Sequence, residues 1–334
     1  MAEPLRNLIT DVRGLSVGNA EDRRLKSGVT VLVADEAAIA SVHVMGGAPG
    51  TRETDLLETH NTVQGIDAIV LSGGSAFGLD AASGAQAALR EMGRGFAVGP
   101  VRVPIVPAAI MFDLINGGDK DWGRYPPYRE LGHEATLFAG QDFKTGSAGA
   151  GTGALTATLK GGLGSASMRL ANGITIGALV VVNALGSAIW PGGRHFRAAE
   201  FEIDDEFGGL GFPPTLPAAG GELLIKGRGL PQSGANTTIG IVATDAVLTK
   251  AEAKRLAISA HDGFARALWP SHTPLDGDLV FSIATGRSGQ TVPTDGFIDL
   301  CAAAASTMAR AIARGIHDAT PEAGDLMPVW SSLK

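Results

Sequence analysis

The stretch Pro231-Gln232-Ser233-Gly234-Ala235-Asn236-Thr237-Thr238-Ile239-Gly240-Ile241-Val242-Ala243-Thr244-Asp245 decides how this chain is read. A lead-in of small residues, read as mobile, runs into Asn-Thr-Thr and then directly into a β-branched run that reads as a buried strand. One reading is a loop feeding a strand, with Asn236 as a turn residue. The other is a self-cleaving bond that frees a threonine at the start of a strand. The chemistry of the second is coherent. The threonine hydroxyl attacks the preceding carbonyl, and the ester formed by that N-to-O shift is hydrolysed. Cleavage then leaves a new α-amine on the nucleophile itself. Such an amine titrates at about 7.7–8.0, close to what a general base needs near neutral pH. Threonine with its own N-terminal amine is an activated nucleophile.

Around this stretch the chain alternates short strands with helices. Residues 28–34 and 40–45 read as two strands, 68–71 as a third, 166–170 and 174–182 as two more joined by Asn172-Gly173, a strong hairpin signal. Phe77, Ala81, Ala85, Ala88 and Met92 recur at helical spacing, and Gly93 and Gly95 predict the stop. Residues 122–143 read as loop and 155–159 as strand. Residues 191–235 read as an exposed connecting segment, a length that signals function or mobility. After the strand at 238–243, Thr249 and Glu252 form a capping-box pattern. Leu256, Ala260, Phe264 and Leu268 follow as an apolar stripe, 279–284 as a strand, and Ile298, Cys301, Ala305, Met308, Ile312 and Ile316 as a final amphipathic helix. Hairpins with paired long helices predict a layered α+β fold rather than a doubly wound sheet.

Length and composition set the bounds. The 334 residues suggest two domains or one large one. With 45% hydrophobic and 18% charged residues, disorder is excluded. Glycine, 47 of 334, is about twice average usage, so small residues must let elements approach closely. The net charge of −7 and the absence of a dense Lys/Arg run argue against nucleic acid. A single cysteine, Cys301, allows no intrachain disulfide and no zinc–thiolate cluster. No apolar stretch reads as a membrane span and no signal peptide is visible, so the expected location is cytoplasmic.

Several local patterns do not carry chemistry. Gly149-Ala150-Gly151-Thr152-Gly153 suggests a dinucleotide loop, but the β-branched residues 155–159 do not read as the helix that fingerprint needs; close backbone packing is the expectation. Gly73-Gly74-Ser75-Ala76-Phe77-Gly78 joins strand to helix, but its second glycine falls one residue late for a nucleophile elbow. Ser75 is expected as a helix N-cap, and the turn at Gly74 and Ser75 as a place where a substrate carboxylate or carbonyl could bind. Among the seven histidines, His261 and His272 flank a helix end and could meet in space. Asp276-Gly277-Asp278 puts two carboxylates where an extended backbone points both the same way. They read as a metal pair or as an acidic turn.

Taken together, Ile9-Thr10-Asp11-Val12, Gly28-Val29-Thr30-Val31, Val70 to Leu79 and Val242-Ala243-Thr244-Asp245 resemble the L-aminopeptidase/D-esterase family, which includes β-aminopeptidases and endo-type nylon-oligomer hydrolases. The resemblance spans nearly the whole chain. It implies a four-layer α/β/β/α sandwich of N-terminal-nucleophile type, a single layered domain over 1–334, and no metal or organic cofactor. It also implies autoprocessing into an α-subunit, 1–236, and a β-subunit, 237–334, assembled as a tetramer of αβ units.

Carried over residue by residue, the scissile bond is Asn236–Thr237 and Thr237 the nucleophile. Asn183 helps form the oxyanion hole. Asp276 and Asp278 orient the Thr237 amine and hold its cationic form. Lys160 assists the oxyanion or lowers the amine's pKa. Phe112 stands where the family often has an active-site tyrosine. Asn-Thr-Thr and Asp-Gly-Asp look like the nylon-oligomer branch. The implied activity is hydrolysis of amide, peptide or ester bonds in short substrates with a free amino terminus, aminopeptidase-like or on 6-aminohexanoate oligomers. Ornithine acetyltransferase-like acyl transfer is one alternative; a ligand-binding homologue that never cleaves is the other.

Overall fold

The computed structural model describes residues 4–218, 222–227 and 236–334; the lead-in 231–235 lies outside them. Strand β1 (Leu15–Asp22) forms an antiparallel hairpin with the long strand β2 (Ser27–Val44). The two strands read from 28–34 and 40–45 are one continuous strand, β2, bent where its pairing with β4 (Gly65–Ser72) shifts register between Val33 and Ala38. Two short strands, β3 (Thr51–Arg52) and β7 (Ala108–Ile110), extend the sheet beyond β4. A separate hairpin comprises β5 (Phe96–Val98) and β6 (Val101–Val103). On the other side of β2 lie β11 (Leu279–Ala284), β10 (Thr237–Thr244), β9 (Thr175–Asn183) and β8 (Gly162–Arg169), in that order.

Alternation along each strand creates the layers. In β2, Val29, Val31 and Val33 face a core shared with α1 (Ala81–Glu91) and α2 (Tyr128–Leu137), while Leu32 and Ala34 face inward. In β10 and β11, Ile239, Ile241, Leu279, Phe281 and Ile283 face the same inner core. Val242 and Val280 face the opposite way, toward α3 (Lys250–Ala267) and α4 (Thr294–His317). The order is α1/α2, sheet, sheet, α3/α4: a four-layer α/β/β/α sandwich of the α+β class. Its two β layers form one hydrogen-bonded sheet folded at β2.

Local signals explain many of the boundaries. The Thr249 hydroxyl accepts the Glu252 N–H and the Glu252 carboxylate accepts the Thr249 N–H, so α3 starts on the capping box. Asn172-Gly173 turns the β8–β9 hairpin, with Leu170 and Ile174 closing it. The final helix is buried through Met308, Ile312 and Ile316, but Ile298 lies exposed near its start.

Four expectations change. Residues 128–137 form α2, not loop; the helix has a weak apolar stripe but packs tightly on α1, with Tyr128, Leu131 and Ala135 buried. Residues 155–159 form a turn, closed by the Thr156 N–H on the Leu159 carbonyl, rather than a strand. The segment after 190 is packed where described: Phe196 and Phe207 are buried, and Phe196 stacks on Trp330 with ring centroids 5.6 Å apart. Finally, α4 is long and apolar enough to cross a membrane, yet it packs as a core helix on β8, β9 and α3. The dinucleotide-like glycines pack backbone to backbone: a Cβ on Gly153 would meet the Lys26 carbonyl oxygen at 2.0 Å.

Candidate active site

Strand pairing assembles the site. In the β9–β10 register Thr237 lies opposite Asn183, and Asn236 bridges in parallel to Asp276. Thr237, Asn183, Asp276 and Asp278 are therefore neighbours although up to 95 residues separate them (278 − 183). All four are buried, with Asn236 beside them.

The Asn236 carbonyl is held from two sides. The Thr237 hydroxyl donates to the Asn236 carbonyl oxygen at 2.6 Å, and the Gly277 N–H donates to the same oxygen at 2.7 Å. A fixed N–H aimed at a carbonyl that is about to become an oxyanion is the arrangement that stabilises a tetrahedral intermediate. Gly277 has to be glycine. A Cβ there would meet the Thr237 hydroxyl oxygen at 2.7 Å and the Ala48 carbonyl oxygen at 2.8 Å. The sequence reading used Asp276 and Asp278 but missed the residue between them.

The two carboxylates take different partners. One oxygen of Asp278 accepts the Thr238 N–H at 2.7 Å; the other accepts the His272 N–H at 3.0 Å and contacts His272 Nδ1 at 2.9 Å. Asp276 accepts the Leu185 N–H and, on its other oxygen, the Thr273 N–H and hydroxyl at 2.8 and 2.6 Å. Burial first, then the charge of Asp278, raises the Asp276 pKa above the ordinary aspartate range. His272 meets His261 edge to face, ring centroids 4.8 Å apart, and His261 meets His43 at 5.1 Å. The expected meeting of His261 and His272 thus occurs, directly behind Asp278. Burial, reinforced by the charge of His272, pushes the His261 pKa down to about 3.

Asn183 has both ends of its side-chain amide occupied. Its Nδ2 donates to the Phe112 carbonyl at 3.0 Å, and its Oδ1 accepts the Leu155 N–H at 3.0 Å. Phe112 therefore touches the site through its backbone. Lys226, which the sequence reading did not single out, donates to the Asn183 side-chain oxygen at 3.1 Å.

Lys160 is placed differently from expectation. Its ammonium pairs with Asp325 at 3.0 Å and donates to the Thr320 carbonyl, and its described contacts include none to Thr237 or Asn183. A buried lysine follows the carboxylate that compensates its desolvation, and that carboxylate lies in the C-terminal segment, where spacing gave no hint of it.

The Gly74–Ser75 turn also differs. Gly74, at φ +85°, gives its N–H to a buried Asp113 carboxylate oxygen at 2.8 Å, and the Ser75 N–H goes to the Met111 carbonyl. The Gly74 N–H expected to receive a substrate carboxylate already has an acceptor. Ser75 opens a 3₁₀ turn, Ser75–Asp80, and caps nothing with its side chain. Among the described residues no group of three or more His, Cys, Asp or Glu side chains could hold a metal ion.

Comparison with known proteins identifies the family. The chain is 42% identical over 339 residues to an uncharacterized aminopeptidase of Mycobacterium tuberculosis, covering 95% of this chain and 96% of that one. It is 30% identical to a 6-aminohexanoate-oligomer endohydrolase of Kocuria sp., covering 82% and 74%. The fold matches a Burkholderia sp. β-aminopeptidase with a TM-score of 0.70 at 23% identity, covering 98% and 92% of the two chains. It also matches the L-aminopeptidase D-Ala-esterase/amidase of Ochrobactrum anthropi, described as a variant of the Ntn hydrolase fold, with a TM-score of 0.68 at 21% identity, covering 96% and 89%. The model of peptidase family S58 matches residues 7–326. A buried threonine at a strand start, its hydroxyl on the preceding carbonyl, thus sits in a chain that belongs to peptidase family S58, hydrolases of amide bonds.

Proposed function

We propose that this chain is a self-processing N-terminal-nucleophile hydrolase that cuts its own Asn236–Thr237 bond and then works through an acyl-Thr237 intermediate. One observation carries the reading: the Thr237 hydroxyl and the Gly277 N–H converge on the Asn236 carbonyl oxygen. The hydroxyl adds to the carbonyl carbon while Gly277 stabilises the oxyanion. The C–N bond breaks, the Thr237 nitrogen becomes an amine, and Asn236 is left as an ester on the Thr237 side chain. Water hydrolyses that ester, releasing the Asn236 carboxylate and a free threonine hydroxyl.

In turnover the new amine takes the hydroxyl proton as Thr237 attacks the substrate carbonyl. The resulting ammonium is stabilised by Asp276 and Asp278, and passes its proton to the leaving amine. Water then releases the acyl group. Substrates are short amides or peptides with a free amino terminus. The higher identity to the aminopeptidase than to the oligomer endohydrolase supports an aminopeptidase-like specificity over the nylon-oligomer branch. The reading extends to an αβ tetramer in the cytoplasm. Exposed Phe96, Val98, Val101 and Val103 on the β5–β6 hairpin are compatible with assembly.

Intact-mass analysis of the purified chain tests the proposal. Wild type should give two fragments meeting at 236/237, and Thr237→Ala one chain with no hydrolysis of alanyl or β-alanyl amides. An uncut but active wild type would sink it. The acetyltransferase alternative is separated by supplying N-acetylornithine and glutamate and looking for acetyl transfer instead of release to water.

A further inference from the structure

An alkylammonium has three N–H donors, and Lys226 gives its three to Leu155 O at 2.7 Å, Asn183 O at 3.1 Å and Asn183 Oδ1 at 3.1 Å. Two of the three acceptors belong to Asn183 and the third to Leu155. Asn183 is the register partner of Thr237, and Leu155 fixes the Asn183 amide from the other side.

The fully buried lysines differ. Lys160 and Lys26 share the Asp325 carboxylate. Lys250 ties down one loop through the carbonyls of Leu56, Glu58, Asn61 and Val63. Lys226 has no carboxylate within 4.0 Å among the described residues, and two of its three contacts fall on one residue, Asn183. Burial, only partly opposed by the more distant Asp276, brings its pKa down to about 7, so its charge is loosely retained.

We infer that Leu155 O, Asn183 O and Asn183 Oδ1 form a binding site for a primary ammonium group, and that Lys226 is its occupant in the uncut chain. The inference rests on the proposed preference for substrates with a free amine, and it gives that preference a location. An ammonium seated against Asn183 lies one strand pair from Thr237. The amine then belongs close to the scissile carbonyl, as in the removal of a single terminal residue. An acylated or quaternary amine cannot supply three N–H groups and leaves buried acceptors unpaired, which is a strong ground for exclusion.

The test is binding, not turnover. Full-length Thr237→Ala keeps the chain uncut; Lys226→Ala added to it empties the site. Calorimetry with n-propylammonium chloride, which reproduces the atoms lost beyond Cβ, should show at least tenfold tighter binding to the double variant than to Thr237→Ala alone. Propyltrimethylammonium should not bind. Equal binding to both proteins, or equal binding of both cations, overturns the site. If the double variant unfolds, Lys226→Met keeps the stem and carries the same test with ammonium chloride against tetramethylammonium chloride. Because no hydrolysis is read, a wild type that never cleaves Asn236–Thr237 but passes this test defeats the proposed function alone. A wild type that cleaves while its variants fail the test defeats this inference alone.

Discussion

Strand β10 has a buried carboxylate at each end, and the two ends are built differently. Beyond its C-terminal end, Asp245 accepts the Thr175 N–H at 2.9 Å and faces the Arg13 guanidinium at 3.4 Å. At its N-terminal end, Asp276 and Asp278 stand two residues apart with no lysine or arginine within 4.0 Å among the described residues; His272 is the neighbour of Asp278. The C-terminal end is electrostatically complete. Among the described residues no lysine or arginine pairs directly with the N-terminal carboxylates, Lys226 reaching Asp276 only at longer range, and their mutual repulsion contributes to the raised Asp276 pKa. Cleavage before Thr237 would create an amine at this end, where its protonated form supplies the missing charge. On the proposed reading, the pair is compensated better in the cleaved chain than in the uncut one.

The comparison can be broken or sharpened by experiment. The largest effect is expected from Gly277→Ala, whose new methyl would displace the donor on the Asn236 carbonyl. Loss of one such donor is worth about 10²–10³ in rate, so fragment formation followed by gel should slow by that factor with circular dichroism unchanged. Normal processing would remove Gly277 from the mechanism. Next come Asp276→Ala and Asp278→Ala, which should slow processing or amide turnover by orders of magnitude; near-normal rates in both would reduce them to an acidic turn. Asp245→Asn should do the reverse, lowering stability by about 1–3 kcal/mol through a weakened buried acceptor while processing proceeds at the wild-type rate. A processing defect there would erase the contrast between the two ends.

The smallest effect concerns pH. His261 is held neutral in the folded state, with its pKa lowered from 6.5 to about 3. The unfolded chain therefore binds one more proton between those values. The stability this group contributes is present above pH 6.5 and is lost as pH falls toward 3, at about 1.4 kcal/mol per pH unit within that window. Urea unfolding between pH 6.5 and 5 should show this slope, and His261→Gln should lack it.

Much of the layer bearing Thr237 was legible in the sequence because its signals are local. Thr249 and Glu252 lie three residues apart, Asn172-Gly173 is a two-residue turn, and Asn236-Thr237 abuts its own strand. The convergence of Asn183, Asp276 and Asp278 on Thr237 came through the family resemblance, since pairing across 95 residues leaves no periodic trace. The failures share one cause. Lys160 was assigned by its position, but its Asp325 partner is 165 residues away. Helix α2 carries few apolar residues and is stabilised by α1, not by its own stripe. Lys226 acts through partners on other elements and does not stand out as a motif; His272 was expected beside His261, but its contact with Asp278 was not.

The strand order β2–β11–β10–β9 has a consequence for how a cut chain behaves. Residues 237–334 supply β10 and β11, and both flanking strands come from residues before 237. The smaller polypeptide is therefore woven into the larger one, gripped on each side by a full ladder of backbone hydrogen bonds. Severing the covalent bond before Thr237 does not make two separable bodies. Pieces cut there would elute together until denaturant opens the sheet, and neither half expressed alone would have the neighbours its strands require.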